Sequence, residues 1–218
     1  MKAARSKAEV VREYGPFPNV ERVNGVTFDG ERVWMATGDR LQSLDPASGE
    51  SGRAIPTPSE AGTAFDGQHF YQLAGGVIHK IDRSTGEVVA KIPSPAADGS
   101  SGLTWAEGSL WVGSYRQKKI LQVDPSSGRV LREIASTKLV TGVTFADGEL
   151  WHGTWEDDES ELRHVSRETG EVLETLEMPD GSGVSGLEYD GRGVFYCGGG
   201  RSGKVRAVRK PRQANGAG

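Results

Sequence analysis

Gly142–Trp151 reads GVTFADGELW: a run of β-formers, a turn at Asp147-Gly148, and a second run ending in an aromatic. The phrase recurs as GVTFDGERVW from Gly25, GTAFDGQHFY from Gly62, GLTWAEGSLW from Gly102 and GLEYDGRGVF from Gly186. The five leading glycines stand 37, 40, 40 and 44 residues apart. Self-similarity at about 40 residues marks a propeller or solenoid.

Working outward from that phrase, each repeat follows one grammar. A third run comes next, as in Leu41–Leu44, Val77–Ile81, Ile120–Val123 and Leu162–Val165. A turn of the form D-P-x-S-G follows, at Asp45–Gly49, Asp82–Gly86, Asp124–Gly128 and, as SRETG, Ser166–Gly170. A fourth run ends the unit, clearest at Val88–Ile92, Val130–Ile134 and Val172–Leu176. Four antiparallel strands per repeat predict an all-β, five-bladed propeller. The blades fall roughly at 20–58, 59–95, 96–137, 138–179 and 180–210 of one domain spanning 1–218, with 211–218 as a disordered tail.

The fifth repeat lacks a fourth strand after Lys204–Val208, and the chain has a spare one at Glu9–Tyr14. That N-terminal strand is expected to complete the last blade and close the ring, removing an open sheet edge. Met1–Ala8 is polar and reads as frayed.

Bulk properties exclude several classes. The net charge is −4 and 26% of residues are charged, without the basic stripe that neutralises phosphates, so no nucleic-acid partner is expected. No apolar run reads as a signal peptide or a membrane span. Cys197 is the one cysteine, which fits a reducing compartment. The expectation is a cytoplasmic monomer without a cofactor or resident metal, taking a small molecule or peptide at one mouth of the channel. Trp34, Trp105, Trp111 and Trp151 read as packing between blades, and Cys197 as a small buried filler.

Residues that break the repeat are the functional candidates. The first strand carries Thr27, Ala64, Thr104 and Thr144, but Glu188 in the fifth copy. A carboxyl near the axis reads either as a general acid or base or as the partner of Arg201 or Lys204. Asn24, Ala61, Ser101, Thr141 and Ser185 precede the glycines and are expected to ring the mouth. Met35, Gln72, Val112, His152 and Tyr196, at the end of the second strand, are expected to form a second ring. The stretch Trp155–Ser160, WEDDES, reads as a longer, more acidic loop than Gly38-Asp39 or Gly75-Gly76. Glu188, His152 and Glu156 are the catalytic candidates. Tyr115, Arg116, Trp155, Tyr196, Gln72, Asn24 and Arg201 are the substrate-binding candidates. Aromatic walls beside acidic groups suit an amine-bearing ligand.

Three stretches carry a family likeness: VVREY at Val10–Tyr14 followed by Pro16 and Pro18, GVTFDGERVWMATG at Gly25–Gly38, and ELWHGTWEDD at Glu149–Asp158. With the blade phrase of Gly102–Leu131, they make the chain resemble the five-bladed glutaminyl-peptide cyclotransferases, a transferase family. A weaker, blade-level likeness is to virginiamycin B lyase. The resemblance implies a five-bladed scaffold with its site at one channel mouth. It also implies that the family's catalytic glutamate falls on Met35, a tryptophan on Gly75, an asparagine on Thr141 and a lysine on Gly199, near Arg201. Gln72 and Trp155 keep the pattern. The resemblance thus implies an enzyme on a small polar or amine-bearing substrate, without efficient cyclase turnover. The alternative is a propeller that binds a metabolite or protein without catalysis.

Overall fold

The computed structural model describes residues 3–96 and 99–211, and every regular element among them is a strand. The N-terminal pair is β1 (Ala4–Lys7) and β2 (Val10–Tyr14). Blade one holds β3 (Gly25–Phe28), β4 (Val33–Ala36), β5 (Gly38–Leu44) and β6 (Ser51–Ser59). Blade two holds β7 (Thr63–Phe65), β8 (His69–Ala74), β9 (Val77–Asp82) and β10 (Val88–Pro93). Blade three holds β11 (Ser100–Ala106), β12 (Ser109–Ser114), β13 (Lys119–Val123) and β14 (Val130–Ala135). Blade four holds β15 (Gly142–Ala146), β16 (Glu149–Glu156), β17 (Glu159–Val165) and β18 (Val172–Glu177). Blade five holds β19 (Gly186–Tyr189), β20 (Val194–Gly198) and β21 (Val205–Arg209), with β2 as its outer strand. No helix among the described residues is long and apolar enough to cross a membrane.

Closure follows the expected route. β2 pairs antiparallel with β21, Val10 opposite Val208 and Tyr14 opposite Val205. Glu13 binds Arg206 at 2.7 Å across this pair. Arg12 donates to the carbonyls of Pro46 and Ala47, at 2.9 and 2.7 Å, so the closing strand also grips the outer turn of blade one. Arg53 and Arg132, at the same step of blades one and three, reach the outer turn of the next blade in the same way.

The reading of Met1–Ala8 as frayed is corrected over its described part. β1 pairs in parallel with β18 as a fifth strand of blade four. Charge holds it there. Arg5 reaches buried Glu161 at 2.7 Å, and Lys7 reaches Glu177 at 2.6 Å. Glu161 also binds Arg163 at 2.6 Å and Lys138 at 3.2 Å. Burial opposes ionisation of Glu161, but these cations outweigh it and hold its carboxyl below the usual range. The expected tail beyond Pro211 lies outside the described residues.

The blades meet through their aromatics, as expected. Trp34 packs on Phe70, Trp105 stacks on Tyr71, Trp111 meets Phe145 and Trp151 meets Phe195, with centroids 4.7–5.4 Å apart. Each such pair contributes about 0.5–1.5 kcal/mol beyond its buried area. Around the axis the leading glycines form a closed ring. A methyl at Gly25 would lie 2.5 Å from the Ala61 carbonyl oxygen, and one at Gly62 2.5 Å from Leu103 N. At Gly102, Gly142 and Gly186 it would lie 2.6–2.7 Å from the backbone of the next blade. Only glycine lets five inner strands approach this closely.

Candidate functional site

Inner strands run away from the glycine ring, so one face of the propeller carries tight turns between first and second strands. The other face carries the second-to-third-strand hairpin tips and the connections between blades. Asn24 and Ser185 precede their glycines and open on that second face. They line a cleft of about 1130 Å³ with Arg22, Tyr115, Trp155, Glu156 and Arg201. A contiguous hollow over the axis adds Ala61, Ser101 and Thr141. The first expected ring therefore does surround this mouth.

Trp155 is the wall of the cleft. A methyl at Gly183 would lie 2.8 Å from its ring and one at Gly200 3.0 Å, so two glycines make room for the indole. Its indole N–H has no hydrogen-bond partner among the described residues. Tyr115, 37% exposed, rises from the equivalent tip of blade three.

The acidic stretch is not a long loop. β16 runs through Glu156 and β17 starts at Glu159, joined by a two-residue turn in which Asp157 and Asp158 have φ of 53° and 62°. Blade two makes the same turn with Gly75 and Gly76, at 56° and 73°. Two carboxylates thus occupy positions whose backbone favours glycine, on an extended hairpin standing over the cleft. Glu156 is tied down: it accepts from Leu139 N at 2.7 Å and pairs with Lys118 at 3.2 Å. Burial opposes its ionisation, but these two partners hold its carboxyl below the usual range.

Glu188 lies two residues beyond its ring glycine, in the channel rather than in the cleft. Its Oε1 accepts from Thr144 Oγ1 at 2.8 Å and Tyr189 N at 3.0 Å, and its Oε2 from Thr27 Oγ1 at 3.1 Å. Neither Arg201 nor Lys204 is its partner, since both belong to the face beyond the glycines. Protein surrounds the carboxyl, although part of its surface stays open along the channel. Desolvation pushes its pKa up to about 7, against the three hydrogen bonds that favour the anion.

The second expected ring does not line the mouth. Met35, Gln72, Val112 and His152 are fully buried, and Tyr196 is 6% exposed. Their side chains point into the faces between blades, because neighbouring residues on a strand alternate sides. Met35 lies in an apolar cluster with Val26 and Tyr196. Gln72 donates to the carbonyls of Ala61 and Leu73 at 3.1 and 2.9 Å, a structural clasp. Tyr196 packs on Phe28, with centroids 5.9 Å apart. His152 stands opposite Arg163 inside blade four, and its Nε2 has no partner. Burial, with Arg163 nearby, lowers its pKa to about 4, so the imidazole is neutral. Arg116 packs against Gly99 outside the main cleft. Cys197 is buried and free, its thiol pushed up to about 12 by burial.

The structure thus brings together Asn24, Tyr115, Trp155, Glu156 and Arg201, and leaves Glu188, His152, Gln72, Tyr196 and Arg116 outside that group. Sequence reasoning missed Arg22, which lines the cleft two residues before Asn24. Its place just ahead of a mouth residue was the available signal. No group of three or more His, Cys, Asp or Glu among the described residues has the geometry to hold a metal ion.

No protein-family model and no curated protein matches the chain. Its structure is similar to that of Myxococcus xanthus glutaminyl cyclase, at TM-score 0.78 and 17% identity, over 95% of this chain and 98% of that one. It is also similar to virginiamycin B lyase from Staphylococcus aureus, at TM-score 0.50 and 18% identity, over 92% and 70%. The β-propeller domain of Myceliophteria thermophila Cps50 (Swd1) matches at TM-score 0.60 and 9% identity, over 94% and 100%. The chain therefore has the five-bladed propeller fold seen in glutaminyl cyclase, at identities that carry fold alone.

Proposed function

We propose that the mouth cleft is the functional site and that it binds a small polar molecule or peptide end presenting an amine. The observation that carries this reading is Trp155, held by two glycines beside the carboxylates of Asp157 and Asp158, while Glu156 is already paired with Lys118. An ammonium seated against Trp155 or Tyr115 gains cation–π attraction, and the acidic hairpin tip adds charge pairing. Calorimetric titration with L-glutaminamide tests it. Saturable binding that Trp155→Ala abolishes is the expected result, and absence of binding overturns the reading.

An enzymatic reading is favoured by one separate observation, the channel carboxyl of Glu188 with its pKa near 7. A general acid or base works best near the operating pH. Its difficulty is position: the glycine ring separates Glu188 from the cleft, and Met35 cannot transfer a proton. Efficient release of ammonia from Gln-initiated peptides is therefore not expected, and turnover at rates usual for an enzyme would contradict that.

A further inference from the structure

The charges around the cleft are divided by blade. Glu156, Asp157 and Asp158 stand on the hairpin of blade four, while Arg22 precedes blade one and Arg201 lies in the hairpin tip of blade five. Lys118 is paired with Glu156. Asp157, Asp158, Arg22 and Arg201 have no ion-pair partner among the described residues. Two carboxylates on blade four and two guanidiniums, one before blade one and one on blade five, thus line the same cleft without ion-pair partners among the described residues, with the Trp155 indole N–H unpartnered. At the axis, Thr141 is 5% exposed and its hydroxyl has no partner.

We infer that the cleft takes a zwitterion, its ammonium toward Asp157 and Asp158 over Trp155 and its carboxylate toward Arg22 and Arg201. This rests on the reading of the cleft as a ligand site and adds the second, anionic pole. An amine alone would leave both guanidiniums, exposed at the rim of the cleft, without a counter-charge, and charges lining a cleft focus its field on a ligand. A guanidinium and a carboxylate also form directed, charge-assisted hydrogen bonds, so the basic side selects for that group. Ligands of opposite polarity at their two ends are oriented by such a site.

Three probes of one side chain separate the poles: L-glutamine carries both charges, L-glutaminamide only the ammonium, and N-acetyl-L-glutamine only the carboxylate. Titration calorimetry should show glutamine binding about tenfold or more tighter than either single-charge probe. Arg201→Gln, at an exposed position, should reduce the preference for glutamine over glutaminamide to near unity. Asp158→Asn should do the same to the preference over N-acetylglutamine. If glutaminamide binds as tightly as glutamine, the anionic pole is wrong while the cleft remains an amine site. If N-acetylglutamine binds as tightly as glutamine, the site is one for anions and the inference fails. Binding by none of the three overturns the inference together with the ligand-site reading.

Discussion

The carboxyl of Glu188 accepts a 2.8 Å hydrogen bond from Thr144 Oγ1, joining blade five to blade four inside the channel. A second bond, from Thr27 Oγ1, joins it to blade one. No charged partner lies against it among the described residues, and burial lifts its pKa to about 7. An unfolded glutamate titrates near 4.3. Below that pH both states are protonated. Between there and pH 7 the unfolded chain ionises while the folded one keeps its proton, so stability falls as pH rises through this window. The loss is at most about 4 kcal/mol. Glu188→Gln resembles the protonated acid and should flatten this pH dependence, melting above the wild type at pH 8. Parallel melting curves for the two proteins from pH 5 to 8 would refute the assignment.

Ring closure depends on β2, and blade four carries β1 as an addition. Deleting residues 1–15 removes the antiparallel partner of β21 together with the grip of Arg12 on blade one. Aggregation or a large loss of stability is expected, read by size-exclusion chromatography and melting. Deleting residues 1–8 removes β1 but leaves β2, so that protein should stay closed and melt at a moderately lower temperature. A 1–15 deletion that melts like the intact chain contradicts the closure.

The hairpin tip of blade four trades stability for charge. Asp157→Asn with Asp158→Gly creates the Asn-Gly pair preferred when both turn residues have positive φ. Stability should rise by about 0.5–1 kcal/mol, while affinity for an ammonium-bearing ligand should fall. Unchanged affinity would remove the aspartates from the site.

The glycine ring is sensitive to one carbon. A methyl at Gly142 would lie 2.6 Å from Leu187 N and 2.8 Å from Leu187 Cβ. Overpacking of this kind costs about 1–3 kcal/mol, so Gly142→Ala should lower the melting temperature by about 2–4 °C for each kcal/mol. No measurable change would mean that the inner strands separate more easily than their packing indicates.

Much of the fold was legible because local rules and the repeat agreed. Alternating β-formers, Asp-Gly turns and the D-P-x-S-G turn each specify short-range backbone geometry, and their fivefold recurrence specifies blades. The missing fourth strand of blade five and the spare strand at the N-terminus are a count, readable without coordinates. β1 was missed because ARSK has no β-forming pattern. It is held by Glu161 and Glu177, more than 150 residues away, and such pairing leaves no local mark.

The chain alone determined five blades, their closure and the end of the channel at which Asn24, Tyr115 and Trp155 meet, since these follow from period and alternation. Which deviant residues share a site was decided only in three dimensions. Glu188, His152 and Glu156 all break the repeat, yet a ring of glycines puts the first in the channel. The alternation of a strand turns the second into the blade interface, and the third is paired with Lys118 and accepts a hydrogen bond from the Leu139 amide. A one-residue step along a strand reverses the direction of a side chain, and a repeat alignment registers position without recording which side of a crowded axis that position lies on.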